Sequence, residues 1–299
     1  MEPSVTRLPT NDQTSLMSPT VLGRGLGLLR ASHPEPAAAV TAVSGLLAWG
    51  VGHPPAGVAA VTVTVAASQL AVGWTNDALD ADRDAAVGRT DKPVVTGAVG
   101  RRGTAVAAVV AALATPALAL TLNPVAAFWV TLALVSALLY DWPLKSTPLS
   151  VLPYAVSFGA LPAFIVLGLP GAPAPPAWLV GAGALLGAGA HFANVLPDLA
   201  DDARTGVRGL PHRLGAAGSR VAAAVLLLAA TATLVLGPPG PPSAVGLAAV
   251  ATAVVVPPLS WYAGRSATRA GARPVAAFRA VILVALIDVV LLVTSGRVV

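Results

Sequence analysis

Nine stretches rich in Ala, Val, Leu and Gly follow a polar N-terminal segment. Each has roughly the twenty apolar residues that a helix needs to cross about 30 Å of hydrocarbon. They fall at 34–52, 57–79, 103–121, 125–141, 149–168, 177–197, 215–236, 243–262 and 275–295 and predict nine membrane-spanning helices. Charge supports this reading. Only 10% of the 299 residues are charged and 56% are hydrophobic, and the mean hydropathy is +0.77. A water-soluble domain, with about a quarter of its residues charged, is excluded, and most soluble enzyme folds with it. Cysteine is absent, which rules out disulfide scaffolds, thiolate metal sites and cysteine nucleophiles. Residues 1–20, with Pro3, Pro9 and Pro19 and no apolar centre, predict a flexible tail rather than a signal peptide. Residues 21–299 form one transmembrane domain in this reading.

The connections alternate in character. One set is short and uncharged: His53-Pro54-Pro55, Leu122-Asn123-Pro124, 171–176 and 237–242. The other carries Arg83, Arg89, Lys92, Arg101 and Arg102, then Lys145, then Arg204, Arg208, Arg213 and Arg220, then Arg265, Arg269 and Arg273; Arg297 alone falls on the opposite side. The excess of Lys and Arg on one face predicts a cytoplasmic N-terminus and cytoplasmic charged loops, with the C-terminus outside the cytoplasmic membrane. The formal charge of +5 is therefore mainly topology, and nucleic acid is not an expected partner.

Most acidic residues lie in two places. Asn76, Asp80 and Asp84 stand at i, i+4 and i+8 near the end of the second span, and Asn194, Asp198 and Asp202 repeat the pattern near the end of the sixth, each 118 positions after its counterpart. Ala85 and Ala203, Gly88 and Gly206, Pro93 and Pro211, and Gly97 and Gly215 match at the same offset. An internal repeat of about four helices, relating 76–97 to 194–215, explains the match. Four is even, so both copies present their carboxylates on one membrane face.

On a continuous helix this spacing makes a stripe of one amide and two carboxylates. Such stripes are either solvated helix ends or a site, and the matched pair favours the site. Facing acids repel one another and call for a cation. Mg2+ is the natural candidate, being hard and oxygen-seeking and usually held by one or two carboxylates with substrate phosphates. The bases beside each stripe, Arg83, Arg89 and Lys92, then Arg204, Arg208 and Arg213, suit an anion such as diphosphate sitting on the metal.

The sequence resembles the UbiA superfamily of intramembrane prenyltransferases, whose hallmark is an NDxxDxxxD segment on the second helix and an Asp-rich segment on the sixth. Asn76, Asp77, Asp80 and Asp84 match the first; Asp198 and Asp202, with Asn194 one turn earlier, match the second. The stretch from Tyr140 to Lys145, Tyr-Asp-Trp-Pro-Leu-Lys, is similar to the family's Tyr and Lys signature. Lys92-Pro93 through Gly97 and 209–215 resemble its basic-Pro-x-x-x-Gly segments, with His212 where many relatives differ.

The resemblance implies an all-α bundle of about nine transmembrane helices around a central cavity, binding a prenyl diphosphate through Mg2+. It implies Asp80, Asp84, Asp198 and Asp202 as metal ligands, with Asn76 and Asn194 direct or water-mediated ligands. Asp77 joins them as a catalytic group. Tyr140, Lys145 and Lys92 hold the diphosphate, with Arg30, Arg89 and Arg208 as further contacts. Asp82 and Asp201 fall off the stripes.

The reaction implied is transfer of the isoprenoid, through an allylic carbocation, to an aromatic or quinone-precursor acceptor in the bilayer. The alternative is a membrane terpene cyclase that needs no acceptor. A cation-coupled transporter is disfavoured because the clusters sit at helix ends beside phosphate-binding bases. Trp49, Trp74, Phe158 and Phe192 shield the cation or serve as packing and interface anchors. Tyr154 and Ser157 are further cavity candidates. His191 accepts or positions a proton, or is a structural histidine. Asp288, an acid deep in the ninth span, is a catalytic candidate by its depth; it is protonated, paired with Gln69 or His191, or activates an acceptor hydroxyl.

Overall fold

A computed structural model of the chain describes residues 21–269 and 275–294. The expected tail at 1–20, Arg273 and Arg297 lie outside the described residues. Among those described, the fold is entirely helical. Its α-helices are α1 (Val21–Ala31), α2 (Pro34–Gly50), α3 (Pro55–Ala86), α4 (Arg101–Ala119), α5 (Pro124–Asp141), α6 (Val151–Leu167), α7 (Ala177–Val195), α8 (Leu199–Arg204), α9 (Leu210–Leu236), α10 (Ala244–Arg269) and α11 (Ala276–Thr294), with a 3₁₀ turn at Leu144–Ser146.

Each expected span coincides with a helix, from α2 to α7 and from α9 to α11. Among the described residues, six helices are long and apolar enough to cross a membrane: α3, α4, α5, α7, α9 and α10 through Tyr262. Prolines begin α2, α3 and α5, at Pro34, Pro55 and Pro124, where the missing N–H has no intrahelical acceptor to lose. Asn123 caps α5, its side-chain oxygen accepting from Ala126 N at 2.8 Å.

Two elements depart from the sequence expectation. The unexpected α1 packs against α3, with Trp74 Nε1–H donating to Leu28 O at 2.8 Å. Its three glycines depress helix propensity, and tertiary contact overrides them. The second stripe is not on one helix: α7 ends at Val195, and Asp198 stands just before α8. Pro197 is the physical reason, since it offers no N–H to the preceding turn and its ring clashes with the carbonyl four residues back. Asn76, Asp80 and Asp84 do share one unbroken helix.

The helices recur at the offset found between the motifs. Moved forward by 118 residues, α2, α4 and α5 fall at 152–168, 219–237 and 242–259, over α6, α9 and α10. The matched glycines also agree in backbone: Gly88 and Gly206 have φ of 71° and 85°, Gly97 and Gly215 of 75° and 68°. These are left-handed conformations that glycine adopts without steric cost.

The core lies between α2, α3, α5, α6 and α7, where Val61, Val65, Val130, Phe164 and Ile165 are buried. A second cluster joins α7, α9 and α11 through Phe192, Leu227 and Val284. Between them these helices enclose a cavity of about 290 Å3.

Candidate active site

The cavity opens beneath the two motifs. Asn76, Tyr140, Asp141 and Asn194 stand at its upper wall, Tyr154, Ser157 and Phe158 lie below them, and Leu161, Leu179 and Leu292 line its apolar depth. Tyr140 packs edge-on against Tyr154 at 4.9 Å, and Tyr154 stacks on Phe158 at 6.2 Å. Asn194 Nδ2–H donates to the Tyr154 hydroxyl at 3.0 Å, which ties this aromatic wall to the second motif.

At the mouth the bases expected beside the first stripe sit directly on its acids. Lys145 and Arg83 both ion-pair with Asp80. Lys92 Nζ lies 2.7 Å from Asp77 Oδ1 and 3.8 Å from Asp84 Oδ2. His33 Nε2 completes this group, 3.1 Å from Lys92 Nζ and 3.3 Å from Asp77 Oδ1. His33 holds a left-handed φ of 54° at the start of α2, an unusual conformation for a residue with a side chain and one that recurs at functional sites.

Arg89 joins the two halves of the site. It donates from Nε to Asp91 at 2.7 Å and from Nη1 to Asp198 Oδ1 at 3.1 Å, across 109 residues of sequence. The Asp91 hydrogen bonds, with Asp198 adding its charge, hold the guanidinium above its ordinary pKa. Asp202 receives His212 instead, with Nε2 at 3.3 Å. Gly209 brings the loop after the second motif against Lys145: a Cβ there would collide with the Lys145 carbonyl and lie 2.9 Å from Ser150 Oγ.

Three buried carboxylate oxygens at this mouth, Asp77 Oδ2, Asp84 Oδ2 and Asp141 Oδ2, have no hydrogen-bond partner. Among the described residues no three acidic or histidine side chains converge as a ready-made metal centre. Asp82 and Asp201 point elsewhere, paired with Arg101 and Arg204.

Other candidates lie apart. Arg30, near the end of α1, and Arg208, in the loop before α9, are exposed. Asp288 is buried, but Thr231 Oγ1–H donates to its Oδ2 at 2.7 Å, so its partner is on α9 and is neither Gln69 nor His191. It is not among the side chains lining the cavity. His191 is tied down: Ser150 Oγ accepts the Leu210 N–H at 2.9 Å and shares a hydrogen bond with His191 Nε2 at 3.0 Å. A structural histidine is the reading this geometry favours.

Sequence reasoning missed two residues, Asp141 and His33. Asp141 carried a signal, as an acid closing an apolar span next to Tyr140; His33 carried none.

Comparison with solved structures gives the same fold. A UbiA homolog from Aeropyrum pernix K1 superimposes with a TM-score of 0.67 at 22% identity, covering 88% of this chain and 96% of its own. A UbiA homolog from Archaeoglobus fulgidus, solved with DMAPP and Mg2+, gives a TM-score of 0.67 at 15% identity over 90% of this chain and 97% of its own. A structure of digeranylgeranylglyceryl phosphate synthase gives 0.62 at 14% identity, over 92% and 99%. Among curated proteins, no sequence matches this chain. Residues 37–287 match the UbiA prenyltransferase family. With six membrane-length helices among the described residues and two acidic motifs at one cavity, this chain is a multi-pass membrane protein that belongs to the UbiA prenyltransferase family.

Proposed function

We propose that this protein is a Mg2+-dependent intramembrane prenyltransferase that moves an isoprenoid from a prenyl diphosphate to an aromatic or quinone-precursor acceptor. One observation carries the reading: Arg89 bridges to Asp198, gathering acids and bases of both motifs over a cavity with an apolar interior. The structures of the Archaeoglobus fulgidus homolog with GPP and Mg2+ or with DMAPP and Mg2+ support the substrate class and the metal.

The residues fit the ion. They offer hard oxygen donors, and Asp84 keeps one buried oxygen without a hydrogen bond. A ready-made three-acid centre is not needed, because Mg2+ uses few carboxylates and completes its shell with phosphate and water. Asp80, Asp84, Asp198 and Asp202 would hold it, with Asn76 and Asn194 direct or through water and Asp77 behind them. When bound, Mg2+ supplies positive charge against the diphosphate.

The chain's own groups do the rest. Lys145 and Lys92 exchange their carboxylate partners for phosphate oxygens, and Arg89 and the Tyr140 hydroxyl add contacts, so that charge growing on the leaving oxygen meets fixed cations. The allylic C–O bond breaks with its electron pair on the diphosphate. The apolar cavity excludes water, and the faces of Tyr154 and Phe158 stabilise the allylic cation. An aromatic carbon of the acceptor then bonds to C1, and the ring proton passes to the released diphosphate, which restores aromaticity.

A second reading, a terpene cyclase, draws on the largely apolar and aromatic cavity wall. We further infer that residues 21–299 form one domain in which all nine expected spans cross the bilayer, with the charged loops cytoplasmic.

Asp80→Ala and Asp198→Ala test the site. Each should lower diphosphate release by about a hundredfold or more while the protein stays folded in detergent. Full activity in either variant would overturn the assignment.

A further inference from the structure

Asp141 ends α5 at the cavity wall, and the mechanism above makes no use of it. Its side chain is 3% exposed. Oδ1 accepts from Asn76 Nδ2 at 3.1 Å, and Oδ2 has no hydrogen-bond partner. The same Asn76 nitrogen donates to Asp80 Oδ2 at 3.2 Å. One neutral amide thus bridges two carboxylates, from α5 and from the first motif on α3; Asp80 also has Lys145 and Arg83, whereas the hydrogen bond from Asn76 is the one that reaches Asp141. Lys145, four residues after Asp141, is bound to Asp80.

A buried carboxylate with an unsatisfied oxygen is costly, and a like charge beside it adds to the cost. An amide supplies hydrogen bonds but no charge. A hydroxyl entering from the cavity would satisfy Oδ2 but bring no positive charge to Asp141. A divalent cation does both, and a partly hydrated ion spans two carboxylates that share one donor.

We propose that Asp141 is a further divalent-cation ligand, reaching from the cavity side the ion that Asp80 holds from the motif side. The proposal rests on the Mg2+ reading above and adds a third acidic element to the two Asp-rich motifs. It places the ion at the junction of the polar mouth and the apolar cavity, where the bond to the isoprenoid breaks.

The test is Mn2+ binding to the full-length protein in detergent, followed by electron paramagnetic resonance with and without inorganic diphosphate. Asp141→Asn keeps the shape and the Asn76 hydrogen bond but removes the charge. It should weaken Mn2+ binding about tenfold or more, as should Asp80→Asn, whereas Asp82→Asn should leave it unchanged. If Asp141→Asn binds Mn2+ like the parent while Asp80→Asn does not, Asp141 is no ligand and the Mg2+ reading stands. Parent-like binding in both variants overturns the Mg2+ reading itself. Should Asp141→Asn fail to fold, Asp141→Glu replaces it; the longer acid shifts Mn2+ affinity if Asp141 is a ligand, and unchanged affinity overturns the proposal.

Discussion

Lys92 holds Asp77 at 2.7 Å in a site where the aspartate is 1% exposed, and it also faces Asp84 and His33. Removing it leaves Asp77 buried with only His33 nearby, and breaking a buried pair in this way destabilises by about 3–5 kcal/mol. Lys92→Met should therefore lower the unfolding temperature in detergent even without substrate; an unchanged temperature would show that Lys92 does not stabilise the resting fold. The acids were legible in the sequence because their spacing repeats, and the bases because they lie beside them. Their pairing was not. Lys145 reaches Asp80 across 65 residues and Arg89 reaches Asp198 across 109, and such contacts depend on how loops fold back rather than on local pattern. The partner of Asp288 was illegible for the same reason: Thr231 is one of many small residues on α9, and only helix packing selects it.

Helix boundaries followed from apolar length, and the exceptions have local causes. Pro197 splits the second motif between the end of α7 and the start of α8, so the same i, i+4, i+8 spacing yields a straight stripe in one copy and a bent one in the other. Gly215, with φ 68° and ψ 177°, likewise interrupts α9 near its start. Small residues set the distance between α6 and α7. A Cβ at Gly183 would lie 2.5 Å from the Phe158 carbonyl oxygen, and one at Gly187 would lie 2.5 Å from that of Tyr154. This is the close backbone approach that small residues spaced four apart allow inside membranes. Gly187→Ala should push α6 outward at a cost of about 1–3 kcal/mol. It should also move Tyr154 away from Asn194, lowering both unfolding temperature and turnover; parent-like values for both would contradict this account of the cavity wall.

On the scale of the molecule, residues of both acidic motifs meet at one cavity, and Arg89 of the loop after the first reaches Asp198 of the second. The offset of 118 residues, visible between motifs, also relates α2, α4 and α5 to α6, α9 and α10, which is why the order of helices was legible before their packing. The cavity was not, since seven helices contribute to its wall and no single stretch of sequence encodes it. The claim that joins these features is metal-dependent cleavage of a prenyl diphosphate at the mouth, followed by capture of the isoprenoid by an acceptor. Mass spectrometry of products tests it most directly, with the purified protein, Mg2+ and a panel of prenyl diphosphates, with and without aromatic acceptors, beside metal-free and Asp80→Ala samples. The account predicts a prenylated acceptor that forms only with Mg2+ and an intact Asp80. A metal-dependent hydrocarbon or terpene alcohol formed equally without any acceptor would contradict the transferase in favour of a cyclase, and turnover unaffected by metal removal would contradict the site itself.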